Sequence, residues 1–263
     1  MSQLRALIFD VDGTLAETER DGHRVAFNRA FTEAGLDWDW SIALYGKLVS
    51  VSGGKERLKH YIHHYQSDFE PPSDLDAFVR RLHATKTEIY RQLLHDGAIP
   101  LRSGVKRLLD EARRENLRLA IATTSALPNA IALLEKHLDP DWFEEIAAGD
   151  IVPAKKPAPD IYHYVLDKMA LTPQDCLVFE DSPHGLQASL SAGLTTVVTV
   201  NDYTRHSEFS GAALVLGSLG EPDTSFEVLS GNAGTLADAN YFDCALARRL
   251  LESPTASSED SHP

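Results

Sequence analysis

Disulfides are the first thing this chain lacks. Its two cysteines, Cys176 and Cys244, lie in apolar or helical stretches, which gives no cross-linked framework and suits a reducing compartment. Long apolar runs are missing too. No window reaches the roughly 18 apolar residues that a membrane span needs, and the first residues carry no signal-peptide pattern, so the expected location is the cytoplasm. Positive charge is short: 25 Lys and Arg stand against 39 Asp and Glu, a net charge of −14. That balance disfavours nucleic acid or an anionic membrane as a partner, and it obliges any site for an anionic ligand to carry its own local cations. What remains is a small-molecule ligand and, by expectation, a monomer. At 263 residues the chain is long enough for one full core and a smaller lobe.

The stretch Leu4 to Thr14 organises the rest. Leu7, Ile8 and Phe9 form an apolar run suited to a strand buried on both faces. The run stops at Asp10, and Gly13 supplies a turn. Asp10 and Asp12 are two residues apart, so extended backbone points both carboxylates the same way. Like charges at the end of a buried strand are costly unless a cation or a proton lies between them. Phosphoryl transfer can use such a pair, one carboxylate attacking phosphorus and the other moving a proton. A strand followed by a plain Asp-Gly turn is the simpler alternative, and the rest of the chain decides between the two.

From Glu19 to Gly97 the pattern is helical. Glu19, His23, Phe27, Ala30 and Ala34 recur at helical spacing up to Gly35, although Gly22 weakens the helix locally. A second helix is expected after Gly53-Gly54. A third starts near Ser73 with the stripe Leu75, Val79, Leu82, Lys86, Ile89 and Leu93, in which Lys86 alone is not apolar. Residues 17–97 thus read as a helical bundle. From Arg102 the period changes. Helix Ser103 to Asn116, strand Leu117 to Ala122, a helix to Leu138, strand Glu145 to Gly149, a helix opened by Pro159, strand Leu177 to Phe179, helix Pro183 to Ala192 and strand Thr195 to Val200 follow in turn. Ala213 to Leu216 is an edge-strand candidate. Gly217 to Gly234 reads as a long loop, Tyr241 to Leu251 as a helix, and 253–263 as a disordered polar tail. Alternating strands and helices predict an α/β, doubly wound parallel Rossmann-like core over 1–16 and 98–252, interrupted after its first strand by the helical bundle.

Ligands of such sheets bind beyond the carboxyl ends of the strands. There the sequence offers Asp10 and Asp12, then Thr123, Thr124 and Ser125, then Lys155-Lys156-Pro157, then Glu180 and Asp181. A hard-oxygen carboxylate cluster suits Mg²⁺, and hydroxyls with a lysine suit a transferring phosphoryl group. Glu180-Asp181 before Pro183 is also an ordinary helix start, and both roles are compatible.

Asp10-Val11-Asp12-Gly13-Thr14, Thr123, Lys156-Pro157 and Glu180-Asp181 resemble, in order, the four motifs of the haloacid dehalogenase-like (HAD-like) phosphatase superfamily. The inserted helices resemble the cap of its β-phosphoglucomutase subgroup. Within it, the CbbY-type phosphatases of xylulose 1,5-bisphosphate are similar through Asp10 to Glu19, Gly53 to Arg57, Lys86-Thr87-Glu88, Ala122 to Thr124 with Pro128-Asn129, and Lys155 to Tyr162. The resemblance implies Asp10 as nucleophile and metal ligand. It implies Asp12 as general acid/base that lends the metal its backbone carbonyl, Asp181 as a further ligand, and Glu180 as a ligand or a partner of one. It implies a phosphate-holding hydroxyl from Thr123, Thr124 or Ser125. Lys156 would hold the phosphoryl oxygens, because the family's lysine directly precedes the proline, and Lys155 is read as a solvated charge. Glu19, His23, Gly53, Gly54, Lys55, Arg57, Lys86 and Asn129 would bind substrate. One residue more separates the Asp motif from His23 than in some members of the family.

Lys86 can be argued without the family. A lysine on an apolar helical stripe ordinarily extends its stem toward solvent, but a cap over the sheet gives this one a ligand to meet. Lys55 and Arg57 follow two glycines that let a ligand approach the backbone, and Arg57 could clamp a distal phosphate with two prongs. A solvated helix start is the simpler reading of that pattern. Cations on both the core and the cap fit a sugar bisphosphate. The expected function is therefore a Mg²⁺-dependent sugar bisphosphate phosphatase, most specifically for xylulose 1,5-bisphosphate. The alternative is a phosphomutase of the β-phosphoglucomutase type, and the foil is a non-catalytic phosphate-binding protein. Glu19 favours the phosphatase, because the CbbY resemblance includes it.

Overall fold

The structure is a computed structural model and describes residues 3–51, 53–231, 236 and 239–252. The expected disordered tail at 253–263 lies outside the described residues. The chain forms two compact units, one of Met1–Ala16 with Leu101–Pro263 and one of Glu17–Pro100. The junction thus falls after Pro100 rather than after residue 97. The first unit opens with β1 (Ala6–Phe9), buried at all its positions. After Asp10 the chain folds into a tight loop in which Gly13 N donates to Ala16 O at 2.9 Å and Leu15 N to Val11 O at 2.9 Å.

The inserted unit holds α1 (Arg24–Glu33), α2 (Ile42–Leu48), α3 (Gly54–Tyr65) and α4 (Leu75–His95). The helix expected from Glu19 begins instead as a π-helix, Glu19–His23, and becomes α-helical only at Arg24. A π turn holds one residue more than an α turn, and His23 closes this one. Helix α2 was not foreseen; Ser41 caps it by accepting from Leu44 N at 3.1 Å. Asp74 caps α4 in the same way through Ala77 N at 2.8 Å. The buried stripe of α4 includes Val79, Leu82, Lys86, Tyr90 and Leu93, so Tyr90 takes the place expected for Ile89. Phe27, Phe31, Trp38, Trp40 and Tyr61 pack ring on ring at centroid separations of 4.6 to 6.4 Å. Apolar area of that size is the main source of this unit's cohesion.

The core resumes with α5 (Val105–Arg114), β2 (Arg118–Thr123), α6 (Leu127–His137), β3 (Glu145–Ala148), α7 (Asp160–Met169), β4 (Cys176–Glu180), α8 (Pro183–Ser191), β5 (Thr195–Thr199) and β6 (Leu214–Leu216). Then come β7 (Val228–Gly231) and α9 (Cys244–Glu252). The sheet order is β3-β2-β1-β4-β5-β6-β7. Every pairing is parallel except β6 with β7. The expected loop at Gly217 to Gly234 therefore contains an edge strand, and β6 is interior to the sheet. All of β7 is exposed, so no alternation of apolar and polar residues betrays it. The last helix starts at Cys244, three residues later than expected for Tyr241. Among the described residues no helix is long and apolar enough to cross a membrane.

Register positions the strand ends. Phe9 lies opposite Ile121 on one side and Phe179 on the other, and the Phe9 and Phe179 rings stack at 4.6 Å. Asp10 and Glu180 therefore leave the sheet side by side, with Thr123 just beyond on β2. The chain re-enters this unit through an antiparallel bridge between Ala16 and Leu101. Next to it the buried guanidinium of Arg102 donates to the carbonyls of Gly13, Thr199 (2.9 Å), Val200 (2.5 Å) and Gly217 (3.0 Å). It ties the Asp loop to the ends of β5 and β6.

Candidate active site

Lys156 is at the centre of the core site. It is buried and follows the β3 end, before a cis peptide to Pro157. Its Nζ donates to Asp10 Oδ1 at 2.8 Å, Glu180 Oε1 at 2.5 Å and Ala122 O at 2.7 Å, which uses all three of its N–H bonds. Burial pushes this lysine's pKa down, but the Asp10 and Glu180 carboxylates outweigh it and hold the ammonium above the ordinary lysine range. Burial raises Asp10 to about 7, against the pull of Lys156. Glu180 also accepts from the hydroxyl of Tyr162, a fully buried residue of α7. Burial first, and the Glu180 charge second, push that phenol well above its usual value, so it remains a donor. Asp181 accepts from Asn201 Nδ2 at 2.6 Å.

Two glycines make this crowding possible. A Cβ at Gly185 would fall 1.9 Å from Glu180 Oε2, and one at Gly13 would fall 2.2 Å from Asp181 Oδ2. Gly13 also has a φ of +84°, which glycine adopts without strain. Carboxylate oxygens of Asp10, Glu180 and Asp181 lie within 4.8 Å of one another, and all three residues are buried. Three buried carboxylates around one ammonium call for further positive charge. An all-oxygen set fits a hard divalent cation such as Mg²⁺. The Asp12 carboxylate stands outside this set and accepts a hydrogen bond from Ser125 Oγ.

The three expected hydroxyls separate. Thr123 is buried at the end of β2, and its Oγ1 accepts from Ser125 N at 3.2 Å. Thr124 is exposed, and Ser125 is turned onto Asp12. Asn129, in the first turn of α6, buries an Oδ1 that has no hydrogen-bond partner among the described residues. Lys155 pairs with Asp150 at 2.8 Å on the surface, a solvated charge.

The inserted unit carries two buried polar groups. In one, Arg57 Nη1 donates to Tyr45 OH at 2.6 Å, Tyr45 OH donates to Glu19 Oε2, and Arg57 Nη1 stands 3.6 Å from the same oxygen. In the other, Lys86 Nζ meets His23 Nδ1 at 2.8 Å. Lys86 has an exposure of only 5%, so it does not run out to solvent. Its ammonium lies 5.0 Å from the centroids of both Phe27 and Tyr90, a cation–π setting. An ammonium has no acceptor lone pair, so His23 Nδ1 accepts and the ring carries its proton on Nε2. Lys55 is exposed. Gly53 caps α3 with a φ of +91°. Tyr45, Tyr162, Asn201 and Arg102 escaped the sequence reading. Tyr162 ends the Lys155 to Tyr162 segment and could have been found there, whereas Tyr45 carried no such signal.

Residues 4–193 match the model of haloacid dehalogenase-like hydrolases. The plasmid-encoded protein CbbY of Cupriavidus necator is 46% identical over 222 residues, covering 83% of this chain and 87% of its own. The fructose-1-phosphate phosphatase YqaB of Escherichia coli is 33% identical over 195 residues, 73% of this chain and 94% of its own. Among solved structures, CbbY from Rhodobacter sphaeroides in complex with phosphate superposes with a TM-score of 0.75 at 42% identity, covering 88% of this chain and 99% of that one. An Asp-to-Asn variant of the same protein, in complex with xylulose-(1,5)bisphosphate, gives the same values.

Proposed function

The chain belongs to the haloacid dehalogenase-like hydrolase family, among its CbbY-type members, and is a phosphatase; from that premise we propose that it hydrolyses a sugar bisphosphate, xylulose 1,5-bisphosphate, through an aspartyl-phosphate. The observation that carries the proposal is the presence of two separate cationic sets. Lys156 stands beside Asp10 in the core, and Arg57 and Lys86 are buried in the inserted unit. A bisphosphate has one phosphate for each. The CbbY relative solved with that sugar bisphosphate supports the choice of substrate.

In this mechanism one oxygen of Asp10 attacks phosphorus, the ester P–O bond breaks, and the leaving alkoxide takes a proton from Asp12. Asp12, now ionised, takes a proton from water as the water oxygen attacks the aspartyl-phosphate. The bond to Asp10 breaks and inorganic phosphate leaves. Ser125 orients the Asp12 carboxyl, Thr123 holds a phosphoryl oxygen, and Lys156, fixed by Glu180 with Tyr162, exchanges one of its three acceptors for a second phosphoryl oxygen when the ligand binds. Asp10, Asp181 and the backbone carbonyl of Asp12, with Glu180, would hold Mg²⁺, which supplies positive charge opposite the transferring group. We place the reaction in the cytoplasm, in a monomer whose partner is the small molecule. Chelation by EDTA should reduce turnover to about a hundredth or less, and Mg²⁺ should restore it; full activity after exhaustive chelation would remove the metal from the scheme.

The test compares two activities and two substrates. Release of free phosphate from xylulose 1,5-bisphosphate supports the phosphatase, and isomerisation of β-glucose 1-phosphate without release supports a mutase. Lys86→Ala and Arg57→Ala should each lower kcat/KM on the bisphosphate about 10- to 100-fold, the worth of a charge-assisted contact of about 1.5 to 3 kcal/mol. Neither should alter turnover of p-nitrophenyl phosphate appreciably, since that ester has no second phosphate to hold. Equal losses on both substrates would assign the two residues to structure and sink the two-phosphate reading.

A further inference from the structure

His83 has no role in the scheme so far. It lies on α4, one turn before Lys86, and its imidazole is packed onto the turn that starts α3. A Cβ at Gly54 would stand 2.6 Å from His83 Nε2 and 2.8 Å from its Cδ2. The glycine therefore keeps a place open for this ring. Lys86 follows one turn later on the same helix and meets His23 Nδ1 at 2.8 Å, Lys55 and Glu56 follow Gly54 in the first turn of α3, and the charges of these groups act on the ring. Lys86 and Lys55 bring positive charge, and Glu56 opposes it. A half-buried histidine influenced by two lysines, in the unit proposed above to hold the second phosphate, is suited to an anion.

We infer that His83 is a further phosphate-contacting residue of the inserted unit, placed to take up a proton and donate it in a hydrogen bond to a phosphate oxygen as the dianion binds beside Lys86. The inference rests on the reading that this unit holds the phosphate that is not transferred. The electrostatics agree in sign. Without a ligand, burial chiefly, then Lys86, Lys55 and His23, depress the His83 pKa to about 4, with Glu56 opposing. The ring is thus neutral at physiological pH. A phosphate dianion reverses the sign of the largest nearby field and favours the imidazolium. Binding should then be accompanied by proton uptake at His83, and its share of the affinity should grow as pH falls toward the raised, ligand-bound pKa.

The experiment is a pH titration of the His83 ring signal by NMR in the full-length Asp10→Asn protein, which is expected to bind without turning over. It is run free, with xylulose 1,5-bisphosphate, and with inorganic phosphate at tens of millimolar. His83→Gln assigns the signal. An upward movement of the midpoint by about two pH units or more with either ligand supports the inference. An unmoved midpoint with both overturns it. In a second arm, His83→Gln should weaken bisphosphate binding about tenfold and lose the proton uptake seen by calorimetry in two buffers. Unchanged proton uptake in that variant also overturns the inference. Failure of the underlying reading is recorded separately, by wild-type protein that releases no phosphate from the bisphosphate.

Discussion

Asp10→Asn should abolish turnover while leaving the fold intact. The amide is nearly the same size as the carboxylate and retains an acceptor oxygen for Lys156 Nζ, which stands 2.8 Å from Asp10 Oδ1. It has no lone pair able to displace an alkoxide from phosphorus at a useful rate. A fall in kcat of at least about a thousandfold is expected, equivalent to about 4 kcal/mol of barrier. Stability should move the other way. Burial raises Asp10 to about 7 even beside its lysine, so the folded protein carries a cost for this charge at neutral pH. The folded-state pKa is raised, so that cost is absent below the unfolded value near 3.8 and grows as pH rises toward 7. Asparagine removes it, and thermal unfolding at pH 8 should occur at or above the wild-type temperature. A variant that keeps a tenth of wild-type turnover would end the assignment of Asp10 as nucleophile.

Lys156→Met should damage both activity and stability, and on every substrate. The methionine fills the space but leaves Asp10 and Glu180, with exposures of 7% and 1%, facing each other without their shared ammonium. Removing one partner from a buried ionic group costs about 3 to 5 kcal/mol, and for a chain of this length each kcal/mol lowers Tm by roughly 2 to 4 °C. Without the ammonium, which opposes it, the raised Asp10 pKa rises further, so the destabilisation should shrink as pH falls toward its unfolded value and grow as pH rises. Activity should fall about a hundredfold or more on xylulose 1,5-bisphosphate and p-nitrophenyl phosphate alike, because this lysine serves the reacting group. Undiminished hydrolysis of p-nitrophenyl phosphate would assign Lys156 to structure alone.

The candidate core site was legible in the sequence because its residues interrupt apolar runs. Asp10 after Phe9, Thr123 after Ala122 and Glu180 after Phe179 each mark where a buried strand meets its ligand edge. Parallel register then brings such ends together. Lys86 was legible for the same reason, as one polar residue on an apolar stripe. Tyr45 and Tyr162 were not, since an aromatic at helical spacing looks like packing until its hydroxyl is seen to meet Glu19 or Glu180. Arg102 marked only a change of period, and nothing local announced that its acceptors would come from residues as distant as Gly13 and Gly217. Strand β7 was invisible because all of it is exposed and its pairing partner lies elsewhere in the chain. Nothing local in the sequence marks His83, because its neighbours on α3 and the π turn are remote from it along the chain.

The bridge between Ala16 and Leu101, with Arg102 N donating to Leu15 O at 2.9 Å, closes the sheet unit behind the insertion. To the sheet, everything from Glu17 to Pro100 is topologically the loop of a hairpin, however much structure it contains. Loop-closure entropy rises only logarithmically with length, by about 0.6 kcal/mol for each doubling. Enlarging a ten-residue hairpin loop to this insertion therefore costs the core about 2 kcal/mol, less than the inserted unit can recover from its own aromatic packing. The sheet therefore tolerates an insertion of any size at this point with little loss of its own stability.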